Sequence, residues 1–182
     1  MKKRLFIAID VPWEIKEKFK LIPESRLKIV KSANLHITIL FLGYVEEKEI
    51  ERIKNVIKTV LEGIPAFTLK FKAIIFAPPG KQFRMIWALF DGNPDYELLN
   101  QRLSDTLSEF RPDNYKEKYI HITLARFKKP LSGKELQAIK LPKVNIQDFS
   151  ADKITLYESV LRGSGPIYKV ITEFPLKSPV NI

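Results

Sequence analysis

Cysteine is absent from this chain of 182 residues. That single absence excludes disulfides, cysteine nucleophiles and thiolate metal sites together. A chain without disulfides also fits the cytoplasm, which is the location expected here. No apolar run approaches the roughly 18 residues that a membrane-spanning helix requires, so no membrane partner is expected. Met1-Lys2-Lys3-Arg4 is basic like the start of a signal peptide. The apolar stretch Leu5 to Ile9 is short, however, Asp10 closes it, and no small-residue cleavage site follows. There is no Gly-x-Ser-x-Gly, hence no nucleophile elbow for Ser-His-Asp chemistry. There is no Walker-type loop and no Gly-x-Gly-x-x-Gly, which disfavours nucleoside-triphosphate and dinucleotide folds. Acidic residues are in deficit, 21 against 31 Lys and Arg, leaving a net charge of +10. Such a surface draws polyanions and speeds encounter with them. A basic, Lys-rich surface also serves solubility or high temperature, and the low methionine content of two leans the same way.

Histidine occurs only twice, and both copies sit in one frame: His36-Ile37-Thr38-Ile39 and His121-Ile122-Thr123-Leu124, 85 positions apart. Side chains at i and i+2 of a strand point the same way. His36 therefore shares a face with Thr38, and Leu35, Ile37, Ile39 and Phe41 are expected on the other. His121 shares a face with Thr123, with Ile120, Ile122 and Leu124 behind. Each strand so offers one imidazole and one hydroxyl to a cleft. An imidazole near pKa ~6.5 gives or takes a proton close to neutrality. Two of them suit a reaction in which one proton leaves an attacking group and another reaches a leaving group. Threonine hydroxyls can donate to the non-bridging oxygens of a phosphoryl group and so orient it. The reaction that fits is phosphoester cleavage without a metal. Neither frame is His-x-His and no carboxylates flank the strands at ligand spacing, so no metal site and no cofactor are expected.

Around these frames the chain reads as alternating strands and helices. Strands are expected at Arg4 to Ile9, Asn34 to Leu42 with Gly43 as its stop, Phe67 to Phe76, Arg84 to Phe90, Tyr119 to Leu124, Phe149 to Leu161 and Ile167 to Phe174. A turn is expected around Gly163-Ser164-Gly165-Pro166. Helices are expected after Pro12, over Glu46 to Leu61 with apolar residues at helical spacing, and after Asn93-Pro94. A short helix over Ser132 to Ile139 carries a capping box, Ser132 with Glu135. No linker or low-complexity segment divides the chain. Residues 1–182 are therefore expected to form a single domain of two pseudo-symmetric lobes sharing one cleft, each lobe holding one histidine strand.

The paired frames resemble the two His-x-Thr-x motifs of the 2H phosphoesterase superfamily. Further strings, Arg4-Leu5-Phe6-Ile7-Ala8-Ile9-Asp10, Asn34-Leu35-His36-Ile37-Thr38-Ile39-Leu40-Phe41-Leu42-Gly43 and His121-Ile122-Thr123-Leu124-Ala125-Arg126, look like those of the bacterial and archaeal RNA 2′,3′-cyclic phosphodiesterases, also called 2′-5′ RNA ligases. The likeness runs from Leu5 to about Leu176. It implies an α+β, bilobal, duplicated fold: two antiparallel sheets flank a central cleft, with helices on the outer faces. It implies an enzyme that hydrolyses RNA 2′,3′-cyclic phosphate ends, such as those of tRNA halves, to 2′-phosphomonoesters, without cofactor or metal. A monomer is expected. By resemblance His36 is the proton donor to the 3′ oxygen, His121 the base that activates water, and Thr38 and Thr123 hold the phosphate; the residues alone leave acid and base open. The family's arginine five places after the second histidine falls on Arg126. Strand parity puts Arg126 opposite His121, so the strand must end or bulge near Ala125 for it to reach the cleft. Phe6 matches a position able to stack on a nucleobase. Arg84 at a strand start, Tyr119 on the cleft face by parity, and Phe127 and Lys128 are further substrate contacts to test. Two alternatives stand beside hydrolysis. One is 2′-5′ ligation as the main activity, the same chemistry reversed; the other is a non-catalytic RNA-binding module.

Overall fold

The computed structural model describes residues 1–19, 21, 25–80, 82–112, 118–163 and 165–178. The architecture is α+β. Strands β1 (Lys2–Asp10), β2 (Leu27–Ile29), β3 (His36–Glu46), β5 (Phe71–Ala77), β6 (Met85–Phe90), β7 (His121–Phe127), β9 (Lys153–Arg162) and β10 (Gly165–Pro175) form one sheet, and β4 (Phe67–Leu69) pairs with β8 (Phe149–Ala151) in a small second sheet. The large sheet runs β10-β9-β1-β3-β7-β6-β5, with β2 attached to β7, and every pairing is antiparallel. It is made of two four-stranded halves. They meet at one pair of residues, Ile37 of β3 opposite Ile122 of β7.

Helices cover the face behind this junction. In α2 (Ile50–Leu61) the buried positions Ile50, Ile53, Ile57 and Leu61 follow a helical stripe. Burial of each such side chain contributes about 1.5–3 kcal/mol. The α3 helix (Pro94–Thr106) starts as its sequence dictates. Asn93 caps it by accepting from the Tyr96 N–H at 3.0 Å, and Pro94 occupies the first turn, where no N–H is needed. The short α1 (Trp13–Lys16) buries Ile15 but leaves Trp13 59% exposed, so only part of the expected apolar face is used. The capping box of α4 (Gly133–Gln137) forms as expected, with Ser132 Oγ accepting from Glu135 N–H and the Glu135 carboxylate from Ser132 N–H. Among the described residues, no helix is long and apolar enough to cross a membrane.

Several boundaries differ from the sequence reading. Phe67 to Phe76 is two strands in different sheets, because the chain leaves one sheet for the other at Lys70. Phe149 to Leu161 divides likewise at Asp152. Gly43 does not stop β3. It continues the strand with φ +70°, a conformation that costs glycine little. The whole of β2 is absent from the sequence reading, since three residues carry too little alternation to stand out. Ser164 of the expected turn lies outside the described residues.

Candidate active site

The Ile37–Ile122 pair sets the geometry of the site. Both isoleucines are fully buried on the helix side. Antiparallel register then places His36 toward Thr123 and Thr38 toward His121 on the opposite face. All four side chains line one cavity of about 490 Å³.

Each imidazole is anchored in the same way. His36 Nδ1 lies 2.7 Å from the carbonyl of Asn34, and His121 Nδ1 lies 3.0 Å from the carbonyl of Tyr119. A carbonyl only accepts, so Nδ1 carries the proton in both rings and Nε2 is the basic nitrogen. The Thr38 hydroxyl donates to His36 Nε2 at 3.1 Å. Aromatic rings wedge both histidines. The Trp87 indole stacks on His121 with centroids 3.7 Å apart, while Phe6 and Tyr168 flank His36 at 4.9 and 5.1 Å. Burial among them pushes both imidazoles down from 6.5 to about 4. The backbone carbonyls oppose this, and the positive field of Arg126 adds to it at both rings. Both rings are thus neutral near pH 7.

The same shifts predict how stability depends on pH. The unfolded chain protonates its histidines near 6.5 and the folded chain near 4. The unfolded state therefore binds more protons between these values, and stability falls as pH drops through that window, by an amount on the order of a few kcal/mol. NMR titration should find both rings ionising well below 6.5 in the free protein, and saturating inorganic phosphate should raise at least one. Two ordinary titrations near 6.5 would contradict the burial argument.

Both histidine strands bulge immediately after their threonine. Along β3 the partners in β1 skip Ile39, and along β7 the partners in β6 skip Leu124. Each bulge puts two consecutive residues into the core, Ile39 with Leu40 and Leu124 with Ala125. The residue five places after each histidine then turns back to the cavity. On β7 this residue is Arg126, which lines the cavity as the resemblance requires. On β3 it is Phe41, which parity alone places on the opposite face. The carbonyls at the bulges are satisfied from outside the sheet's regular ladder. Asn100 Nδ2 of α3 donates to Ile39 O at 2.6 Å, and Val30 N–H donates to Leu124 O at 2.9 Å. Tyr96 of α3 adds a hydroxyl to the Thr38 carbonyl at 2.9 Å.

The other expected contacts fall elsewhere. Phe6 is only 1% exposed and packs behind His36, so it supports the imidazole and offers no face to a base. Arg84 precedes β6, where Met85 and Trp87 face the cavity, and is not among the residues lining it. Its main chain instead joins Ala77 to Phe127. Tyr119 lies before β7 begins, so strand parity does not reach it. Its carbonyl serves His121, its ring lies 6.2 Å from that of Trp87, and the residue borders a second cavity with Tyr96 and Asn100. Phe127 packs its ring near Phe76, and Lys128 is exposed away from the cavity. The sequence reading missed Trp87, Tyr168, Lys28 and Lys31, all of which line the cavity. Alternation of Met85 and Trp87 on an apolar strand was the available signal for the first.

Comparison with known proteins identifies the family and the fold. A family model described as LigT-like phosphoesterase matches residues 14–87, a span that includes the first motif. An RNA 2′,3′-cyclic phosphodiesterase of Methanocaldococcus jannaschii is 34% identical over 177 residues, covering 94% of this chain and 99% of that protein. The chain belongs to the LigT-like phosphoesterase family, within the 2H phosphoesterases. An RNA 2′,3′-cyclic phosphodiesterase of Thermotoga maritima is 30% identical, covering 93% of this chain and 94% of that one. The fold of this LigT-like protein matches the crystal structure of E. coli LigT in apo form with TM-score 0.79 at 23% identity, covering 98% and 99% of the two chains. It matches TT0787 of Thermus thermophilus with TM-score 0.78 at 24% identity, covering 97% and 99%.

Proposed function

We propose that this chain hydrolyses the 2′,3′-cyclic phosphate at RNA ends to a 2′-phosphomonoester, by acid–base catalysis between two histidines and without a metal. The observation that carries the proposal is the matched pair of imidazoles on one cavity wall, each held through Nδ1 with Nε2 as its basic nitrogen. In the forward step the water oxygen bonds to phosphorus as its proton passes to His121 Nε2. The bond from phosphorus to the 3′ oxygen breaks, and that oxygen takes the proton from a protonated His36 Nε2. The anionic phosphodiester supplies the field that protonates one ring against its burial. Thr38 and Thr123 hydroxyls and the Arg126 guanidinium hold the non-bridging oxygens. Among the described residues lining the cavity there is no carboxylate, so the donor set suits an anion better than a divalent cation.

The names of the relatives support the substrate class, and the proposal extends to tRNA halves with such ends. Incubation of an oligoribonucleotide 2′,3′-cyclic phosphate with the protein in excess EDTA should give a 2′-phosphate end. No turnover under EDTA, with recovery on adding a divalent metal, would overturn the metal-independent mechanism. Including an RNA with a 5′-hydroxyl in the mixture reports ligation directly, as a longer product.

A further inference from the structure

The proposed reaction uses one cation, Arg126, yet the cavity has three. Lys28 and Lys31 line it too. Lys28 stands directly opposite Arg126 in the β2–β7 ladder. Residues so paired share a face, with Cβ atoms about 4.5–5.5 Å apart. After Ile29, the Val30 N–H bonds to the Leu124 carbonyl, and Lys31 precedes the 3₁₀ turn Ser32–Asn34 that leads back to His36. Residues 28–31 thus form a lip running from Arg126 toward His36. Both lysines are exposed, and among the described residues neither has a carboxylate partner, whereas Lys3, Lys54 and Lys153 are paired. Two unneutralised ammonium groups beside a phosphate-holding arginine call for further negative charge in the ligand.

Substrate chemistry says where that charge lies. A 2′,3′-cyclic phosphate closes the 3′ end of a strand, so every additional nucleotide is attached through the 5′ oxygen. The next negative charge is the phosphodiester on the 5′ side of the terminal nucleotide. Resting on the functional reading above, we propose that Lys28 and Lys31 form a subsite for the 5′-ward phosphodiesters, so that the enzyme selects oligonucleotide ends over cyclic mononucleotides. The lip thereby separates recognition of strand length from the chemistry at the histidines.

The test compares a nucleoside 2′,3′-cyclic phosphate with a trinucleotide ending in the same nucleotide. Wild-type kcat/KM should favour the trinucleotide, more strongly at low salt. The Lys28→Ala, Lys31→Ala double variant should cut the trinucleotide-to-mononucleotide ratio about tenfold. It should also flatten the dependence of log(kcat/KM) on log salt for the trinucleotide by about 0.7 per lysine, the value for single-strand phosphate contacts. The corresponding Lys→Arg variants should keep the ratio, showing that charge at these positions is what acts. A double variant with an unchanged ratio overturns the subsite, as does equal loss on both substrates. Wild-type protein that hydrolyses neither substrate overturns the functional reading itself, a result distinct from either.

Discussion

Replacing either histidine is expected to lower the rate of cyclic phosphate hydrolysis by about 10²–10⁴-fold, the range for loss of a positioned general acid or base. The double variant should be little worse than either single one, because proton donor and proton acceptor act in one step. Alanine tests the rate, but it also leaves a hole between aromatic rings, most severely beneath Trp87, which stacks on His121 at 3.7 Å. Asparagine is the sharper substitution. Its amide can still donate to the Tyr119 or Asn34 carbonyl that now receives Nδ1–H, while nothing replaces Nε2. His36→Asn and His121→Asn should therefore fold, as thermal melting would show, and still lose the rate. Near-full activity in either folded variant would remove that histidine from the mechanism.

Arg126 should have the next largest effect. Arg126→Gln is expected to reduce kcat/KM by about 10²–10³-fold, as for loss of a donor aimed at developing phosphoryl charge. Lysine should restore only part of it, since one ammonium cannot reproduce the planar fork of a guanidinium. A second readout does not depend on activity. Arg126 lowers the affinity of both imidazoles for protons, so its removal should raise both titrations in the free protein. An arginine that merely decorated the surface would leave rate and titrations where they were. Its side chain now rests Nη1 on Met85 Sδ at 3.1 Å, a weak contact that a phosphate oxygen would readily displace.

Sequence alone makes a feature of this chain legible only where the physics that sets it is local. The two histidines and two threonines were legible because alternation on a strand is local. Once His36 to Ile39 and His121 to Leu124 are extended, the imidazole and hydroxyl must share a face whatever the rest does. The helix starts at Asn93-Pro94 and Ser132 were legible for a similar reason, since a cap is satisfied within one turn. Phe6 shows the limit. Its strand is plain in sequence, but only the pairing of β1 between β3 and β9 buries its ring behind His36 and removes it from any base.

Sequence by itself determined the chemistry on offer: two imidazoles, each with a hydroxyl on the same face, on a basic chain without cysteine. Tertiary structure decided what joins them. A bulge depends on which residues a neighbouring strand leaves unpaired, and that is set by partners far along the chain. The bulges at Ile39 and Leu124 reverse strand parity and so bring Phe41 and Arg126 into the cavity. The lip of β2 exists for the same kind of reason. Three residues with little pattern of their own become a strand only against β7, and that pairing sets Lys28 beside Arg126.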